Sequence, residues 1–294
     1  MDIRVLRYFI AAVQTQSITR AAERLHMTQP TLSRQFTDLE KELGHKLFER
    51  TNRNLRLTPK GELFYERAKS IVELCEKTVL EIQAKEELTG DIRIAAGETP
   101  ALRTLARAIK RLQVEAPKVR CHIVSGSEEI VRSELRTGLT DIGVFVGSVD
   151  TTGYSSIKLK NKDQWGLLTP KKGIFADRSF IRPKDLSGIP LLCSKQSFDR
   201  NEFGGWSGEH LAEIHVVATF TLLYNAFLLA EAGVGHVMAL KDIIHLDENS
   251  DLMWLPLKPK LMADVSVVWE KERSLSPPVQ LLLRFLKEEE EKPL

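Results

Sequence analysis

Residues 17–44 read SITRAAERLHMTQPTLSRQFTDLEKELG, and the folding of this stretch decides the architecture around it. Ser17 is placed to accept the free amides of a first helical turn, and Ala21, Ala22 and Leu25 follow as a short helix whose small residues allow close contact. His26-Met27-Thr28 breaks the pattern, and Thr28 caps again. The next helix runs from Gln29 to about Leu43, with Pro30 tolerated in its first turn because that N–H has no helical partner. Leu32, Phe36, Leu39 and Leu43 make its buried stripe, and Gly44 ends it. Upstream, Val5, Phe9, Ala12 and Val13 share one face of an earlier helix. Two short helices around a tight turn, the second led by polar residues off its apolar stripe, predict a helix-turn-helix at about 18–37. Those leading residues are Gln29, Thr31, Ser33 and Arg34. Gln pairs bidentately with adenine, Arg with guanine, and Ser or Thr with phosphate or a base edge. Downstream, Leu47–Arg50 and Leu55–Leu57 alternate apolar and charged residues around 51–54, which predicts a hairpin wing presenting Arg53 at its tip. An ordinary three-helix domain with a solvated polar face is the alternative.

Charge distribution favours the first reading. The whole chain of 294 residues carries 42 Lys+Arg against 40 Asp+Glu, a balance that says nothing about a polyanionic partner. Residues 1–60, however, hold eleven bases against six acids, while 61–89 hold four against seven. A basic head on a neutral body is the asymmetry expected of a small domain that meets nucleic acid.

The run Leu6, Phe9, Val13, Ser17, Ala21-Ala22, Leu25, Gln29-Pro30, Leu32-Ser33, Leu39-Glu40, Gly44, Leu47-Phe48, Arg50, Leu57-Thr58 and Gly61 closely resembles the N-terminal signature of LysR-type transcriptional regulators. Two positions depart from it: Gln16 stands where Gly often precedes the Ser, and Thr28 where Ser often caps the recognition helix. The resemblance implies a winged helix-turn-helix at 1–60, a linker and dimerisation helix at 61–89, and a C-terminal effector-binding domain. It also implies double-stranded operator DNA as partner, self-association to a dimer and further to a tetramer, and contact with RNA polymerase.

The remaining sequence fits that plan. Between Glu62 and Thr89 there is no Pro or Gly, and Phe64, Ala68, Ile71, Cys75, Thr78 and Ile82 recur at alternating spacings of four and three, the seam of a two-stranded coiled coil, widened by Leu63, Val72, Leu74 and Val79. From Asp91 strands and helices alternate: strands at 92–96, 119–124 and 142–146 enclose helices at 102–112 and 130–135. A second set follows with strands near 165–168, 189–193, 216–220, 236–240 and 264–269, a helix at 222–232, and a closing helix striped by Val279, Leu282, Leu283 and Leu286. This α/β order predicts parallel sheets covered by helices in a two-lobed, periplasmic-binding-protein-like domain. Residues 90–160 and 267–294 are expected to form lobe I, and 161–266 lobe II.

Enzyme chemistry has no foothold. Gly-x-Gly-x-x-Gly, the P-loop, Gly-x-Ser-x-Gly and His-Glu-x-x-His are all missing. Gly233-Val234-Gly235 reads as a helix end, and His210 and His215 as loop residues without further metal-type ligands. No catalytic residue, metal or cofactor is implied. The 3 cysteines read as structural thiols in a reducing compartment. No stretch of 18 uncharged apolar residues exists, and the first apolar run, Tyr8–Val13, is too short for a signal-peptide core. These features predict a cytoplasmic protein without a membrane partner. A transport-type binding protein and an α/β enzyme with an accessory helical domain remain the other classes.

In open α/β folds ligands sit beyond the strand ends, where helix starts present free amides. Three such ends are expected at Gly97-Glu98-Thr99-Pro100, at Ser125-Gly126-Ser127 and at Thr219-Phe220-Thr221, with Thr99, Ser127 and Thr221 as caps. Ser194, Lys195 and Gln196 follow another strand and are expected to close a site for a small polar effector. Glu98 argues against an anion there, unless Lys195 offsets it across the cleft.

Overall fold

Asp2 starts the first helix, α1 (Ile3–Thr15), by accepting the Arg4 N–H at 2.8 Å. A computed structural model of the chain describes residues 1–50, 55–83, 88–208, 210 and 214–292, in two units that divide between 84 and 85. In the first unit Leu6, Phe9, Ala11 and Ala12 turn inward from α1, and Gln16 closes it in the left-handed region at φ 51°. That conformation is the reason a Gly suits this position. Ser17 then caps α2 (Ile18–Arg24) and Thr28 caps α3 (Gln29–Leu43), whose end Gly44 allows at φ 70°. Strands β1 (Phe48–Arg50) and β2 (Leu55–Leu57) pair antiparallel as the expected wing, Phe48 opposite Leu57. Its tip, with Arg53, lies outside the described residues.

Helix α4 (Pro59–Gln83) begins where the Thr58 hydroxyl oxygen accepts the Gly61 N–H at 3.0 Å. A Cβ on Gly61 would lie 2.1 Å from the Leu47 carbonyl oxygen, so only Gly lets the helix approach the wing this closely. The single continuous seam expected along α4 is not what forms. Phe64 packs edge-on to Phe9, ring centres 5.0 Å apart, and Ala68 is fully buried, so the first part of the seam is covered by the unit's own core. Ile71 instead lies exposed beside Leu63 and Leu74, with Val79 exposed further round the helix, while Thr78 is exposed and Cys75 half-buried. The side chain of Ile82 lies outside the described residues. Two apolar faces on one helix merged into one pattern when read by period alone.

The second unit opens with β3 (Gly90–Ala96), α5 (Leu102–Glu115), β4 (Val119–Ser125), α6 (Glu128–Arg136), β5 (Ile142–Val146) and β6 (Tyr154–Lys158). The chain then crosses to β7 (Asp163–Pro170), β8 (Pro190–Ser194), α7 (Lys195–Asp199), α8 (Gly204–Ser207), β9 (His215–Phe220), α9 (Leu223–Glu231), β10 (His236–Leu240), β11 (Leu252–Pro256) and β12 (Met262–Ala263). It returns as β13 (Val265–Glu270) and ends in α10 (Pro277–Glu291). One sheet runs β4-β3-β5-β13-β6 and the other β11-β7-β10-β8-β9, with β12 on β7. The sheets are mixed rather than parallel throughout. β3 runs parallel to β4 and β5, and β8 to β9 and β10, but β13 lies antiparallel to β5 and β6. β7 is likewise antiparallel to β10 and β11. Strands that arrive from the other lobe enter against the local direction. His215 lies on β9 rather than in a loop. Gly233, at φ 78°, does end α9. Among the described residues no helix is long and apolar enough to cross a membrane.

Candidate nucleic-acid interface and inter-lobe cleft

The leading end of α3 is presented by two local devices. Thr28 Oγ1 accepts the Thr31 N–H at 3.4 Å and shares a hydrogen bond with Thr31 Oγ1 at 2.8 Å, fixing the first turn. At the far end Glu40, buried, accepts from Lys46 Nζ at 2.6 Å and from the backbone N–H groups of Leu47 at 2.9 Å and Phe48 at 3.3 Å. Burial alone would push this carboxyl up, but Lys46 and the two amides hold it below its ordinary value. Glu40 thereby ties the wing to α3. Sequence reading placed Glu40 in the signature without a role.

Between these ties Gln29, Pro30, Thr31 and Arg34 are exposed and Ser33 is half-buried. The Arg34 side chain is 85% exposed, with Asp38 its nearest anion at 3.9 Å. A helix N-terminus carrying polar and basic side chains, backed by a rigid three-helix core, has the shape and charge of a major-groove reader.

In the second unit a cavity of about 80 Å³ lies between the lobes. Of the expected residues, Gly97, Glu98, Gly126, Ser127, Ser194, Lys195, Gln196, Phe220 and Thr221 line it, joined among others by Trp165 and Glu202. Thr99, Pro100, Ser125 and Thr219 do not. Ser125 and Thr219 are exposed at their strand ends. Thr99 is buried, donates to Asp163 Oδ2 of the other lobe and accepts the Ala101 N–H at 3.1 Å. The helix it was expected to cap starts later, at Leu102, without a side-chain cap.

Capping in the cleft also differs from expectation. Neither Ser127 nor Thr221 accepts from the helix it precedes. The Glu128 N–H at the start of α6 instead donates to Gln196 Oε1 at 2.9 Å, while Gln196 Nε2 donates to the Val146 carbonyl at 3.1 Å. The Leu223 N–H at the start of α9 donates to Glu98 Oε2 at 2.6 Å. Each lobe therefore caps a helix of the other. Lys195 does not offset Glu98, because its ammonium pairs with Asp199 at 2.5 Å.

Two further groups escaped sequence reading. Glu202 accepts from Ser197 Oγ at 2.8 Å, and burial pushes its carboxyl up against the opposing pull of Ser197 and Arg200. Trp165 is 6% exposed and packs edge-on to Phe203 at 5.0 Å, and its buried indole N–H has no acceptor among the described residues. Cys193, near the cleft, has its thiol pushed up to about 11 by burial, which suits a structural role.

Comparison with known proteins supplies the family. A model described as "Bacterial regulatory helix-turn-helix protein, lysR family" matches residues 3–62, and one described as "LysR substrate binding domain" matches 85–291. The HTH-type transcriptional regulator CysL of Bacillus subtilis (strain 168) is 32% identical over 200 residues, 68% of this chain and 67% of that protein. BsdA, an HTH-type transcriptional regulator of the same organism, is 49% identical over 98 residues, 33% of this chain and 34% of that protein. Among solved structures, full-length CbnR complexed with its target DNA superposes with a TM-score of 0.76 at 21% identity, covering 98% of this chain and 100% of that one, a likeness of fold. With one model matching the helix-turn-helix and the other most of the remaining chain, this chain belongs to the LysR-type transcriptional regulators, which join a DNA-binding helix-turn-helix to an effector-binding domain.

Proposed function

We propose that the leading end of α3 reads operator DNA in the major groove, with Gln29 and Arg34 on base edges and Pro30, Thr31 and Ser33 against the backbone and thymine methyls. The observation that carries this reading is the exposed polar start of α3, held from both ends in a helix-turn-helix of this family. Arg53 of the wing is assigned to the adjacent minor groove, where its loss lowers the salt dependence of binding. Lobes I and II bind a small polar effector in the cleft, at Glu98, Ser127, Ser194, Lys195, Gln196 and Thr221. The protein works in the cytoplasm as a dimer, assembling further to a tetramer, and communicates with RNA polymerase. The exposed apolar Leu63, Ile71 and Leu74 of α4 support self-association, since such a patch on a long helix is normally covered. Ile71→Glu would bury a charge in that contact, and light scattering is expected to show dissociation relative to wild type. A gel shift of the gene's own upstream fragment tests the whole reading. Retarded DNA with wild-type protein supports it, and free DNA at micromolar protein and low salt contradicts it.

A further inference from the structure

The helix starts that ordinarily bind anions are already filled around this cleft. α6 gives its first amide to Gln196 and α9 gives its own to Glu98. The short α7 is capped by Ser194, whose Oγ accepts the Ser197 N–H at 3.0 Å. Lys195 is the one lysine or arginine among the described lining residues, and Asp199 engages it. Arg200, just behind the wall, is held by Glu128 and by the Ser148 carbonyl. Glu98 and Glu202 thus line a cavity at which the first amides of α6 and α9 and the one lysine are already engaged. The hydroxyls of Ser127 and Thr221 remain as neutral donors, and the buried indole N–H of Trp165 has no acceptor among the described residues.

We propose that this cleft takes a small ligand bearing an ammonium group and one hydrogen-bond acceptor, the ammonium facing Glu98 and Glu202 and the acceptor taking the Trp165 indole N–H. The inference rests on the reading of the cleft as the effector site. Two carboxylates lining one small cavity repel an anion and favour a cation, and a charge-assisted hydrogen bond is stronger than a neutral one.

The test is calorimetry on the full-length protein with matched probes: a panel of 2-amino and ω-amino carboxylic acids and short diamines, each beside the same compound with hydrogen in place of an amine. At least one ammonium compound is expected to bind at least tenfold more tightly than its deaminated partner. Glu202→Gln and Glu98→Gln are each expected to weaken it roughly tenfold, the scale of a lost charge-assisted hydrogen bond. Glu98→Gln retains the oxygen that Leu223 uses, and Glu202→Gln the one Ser197 uses, so the fold is spared. Trp165→Phe should weaken the ligand while leaving the preference for ammonium intact. Deaminated acids that bind as well as or better than their ammonium partners overturn the proposal, as does a panel in which no ammonium compound binds. Thr221→Phe, at the mouth of the cavity, separates the two levels. If it abolishes binding of deaminated acids, the cleft is the site and the ammonium assignment is wrong. If ligands bind it unchanged, the cleft itself is the wrong place.

Discussion

Helices α3 and α9 begin with the same unmet need, backbone amides lacking helical acceptors, and meet it from very different distances. Thr28, three residues before Thr31, serves α3. Glu98, 125 residues before Leu223 and on the other lobe, serves α9, and α6 is served from 68 residues away by Gln196. A helix capped from its own flank keeps its geometry whatever the rest of the molecule does. A helix capped from the opposite lobe keeps it only while the lobes stay together. The start of α3, the end proposed to read DNA, is thus built to be constant and the cleft to be changed.

The largest effect should come from Glu40, which carries the local principle one step further by tying the wing to α3. Glu40→Ala strands two backbone donors and releases an exposed ammonium to water, and is expected to cost about 3 kcal/mol, at one to three per unsatisfied donor. The chain's 4 tryptophans all lie beyond residue 164, so tryptophan fluorescence does not report on this unit. Hydrogen exchange at Leu47 and Phe48 does, and unchanged protection there contradicts the role given to Glu40. The carboxyl also titrates below its ordinary 4.5, so its contribution is complete above that value. It is lost as pH falls through the lower folded value, which predicts acid loosening of the wing that Glu40→Gln does not show.

A smaller change is expected at the cap of α3. Thr28→Ala should cost about 1 kcal/mol and Thr28→Ser should restore it. Exchange in the cleft should not respond to either. If protection at α9 changes in Thr28→Ala, the two ends are coupled in a way the local cap does not allow.

Glu98→Ala should give the smallest change in overall stability, less than about 1 kcal/mol, because water in the cleft can replace the lost acceptor. Its effect is positional. Exchange should quicken at Leu223 and, as the lobes part, at Glu128 of α6 too. Faster exchange at Leu223 alone would mean that the two cross-lobe caps are independent.

The same difference in distance explains what the sequence made legible. Ser17, Thr28, Gly44 and Gly61 act on neighbours or on one close approach, and short-range pattern and family signature found them. Most strand and helix positions of the second unit followed from apolar alternation, apart from β6, whose Ser155 and Ser156 hide its period on a sheet edge, β11, and the short α7, α8 and β12. Strand direction was misjudged because alternation carries no sign, and only the return of the chain from the other lobe sets β7 and β13 against their neighbours. Nine of the thirteen cleft residues expected from strand ends do line the cavity. Their chemistry was not readable, since Glu98 and Gln196 spend their oxygens on partners that no local pattern points to, and Trp165 reads as core.

Operator binding by Arg34→Ala is the most direct test of the constant end. In a gel shift on the upstream fragment, with wild-type protein alongside and at fixed salt, affinity should fall by about 1–3 kcal/mol and preference should relax at one base position. An affinity and base preference equal to wild type would contradict the assignment of α3 as the reading helix.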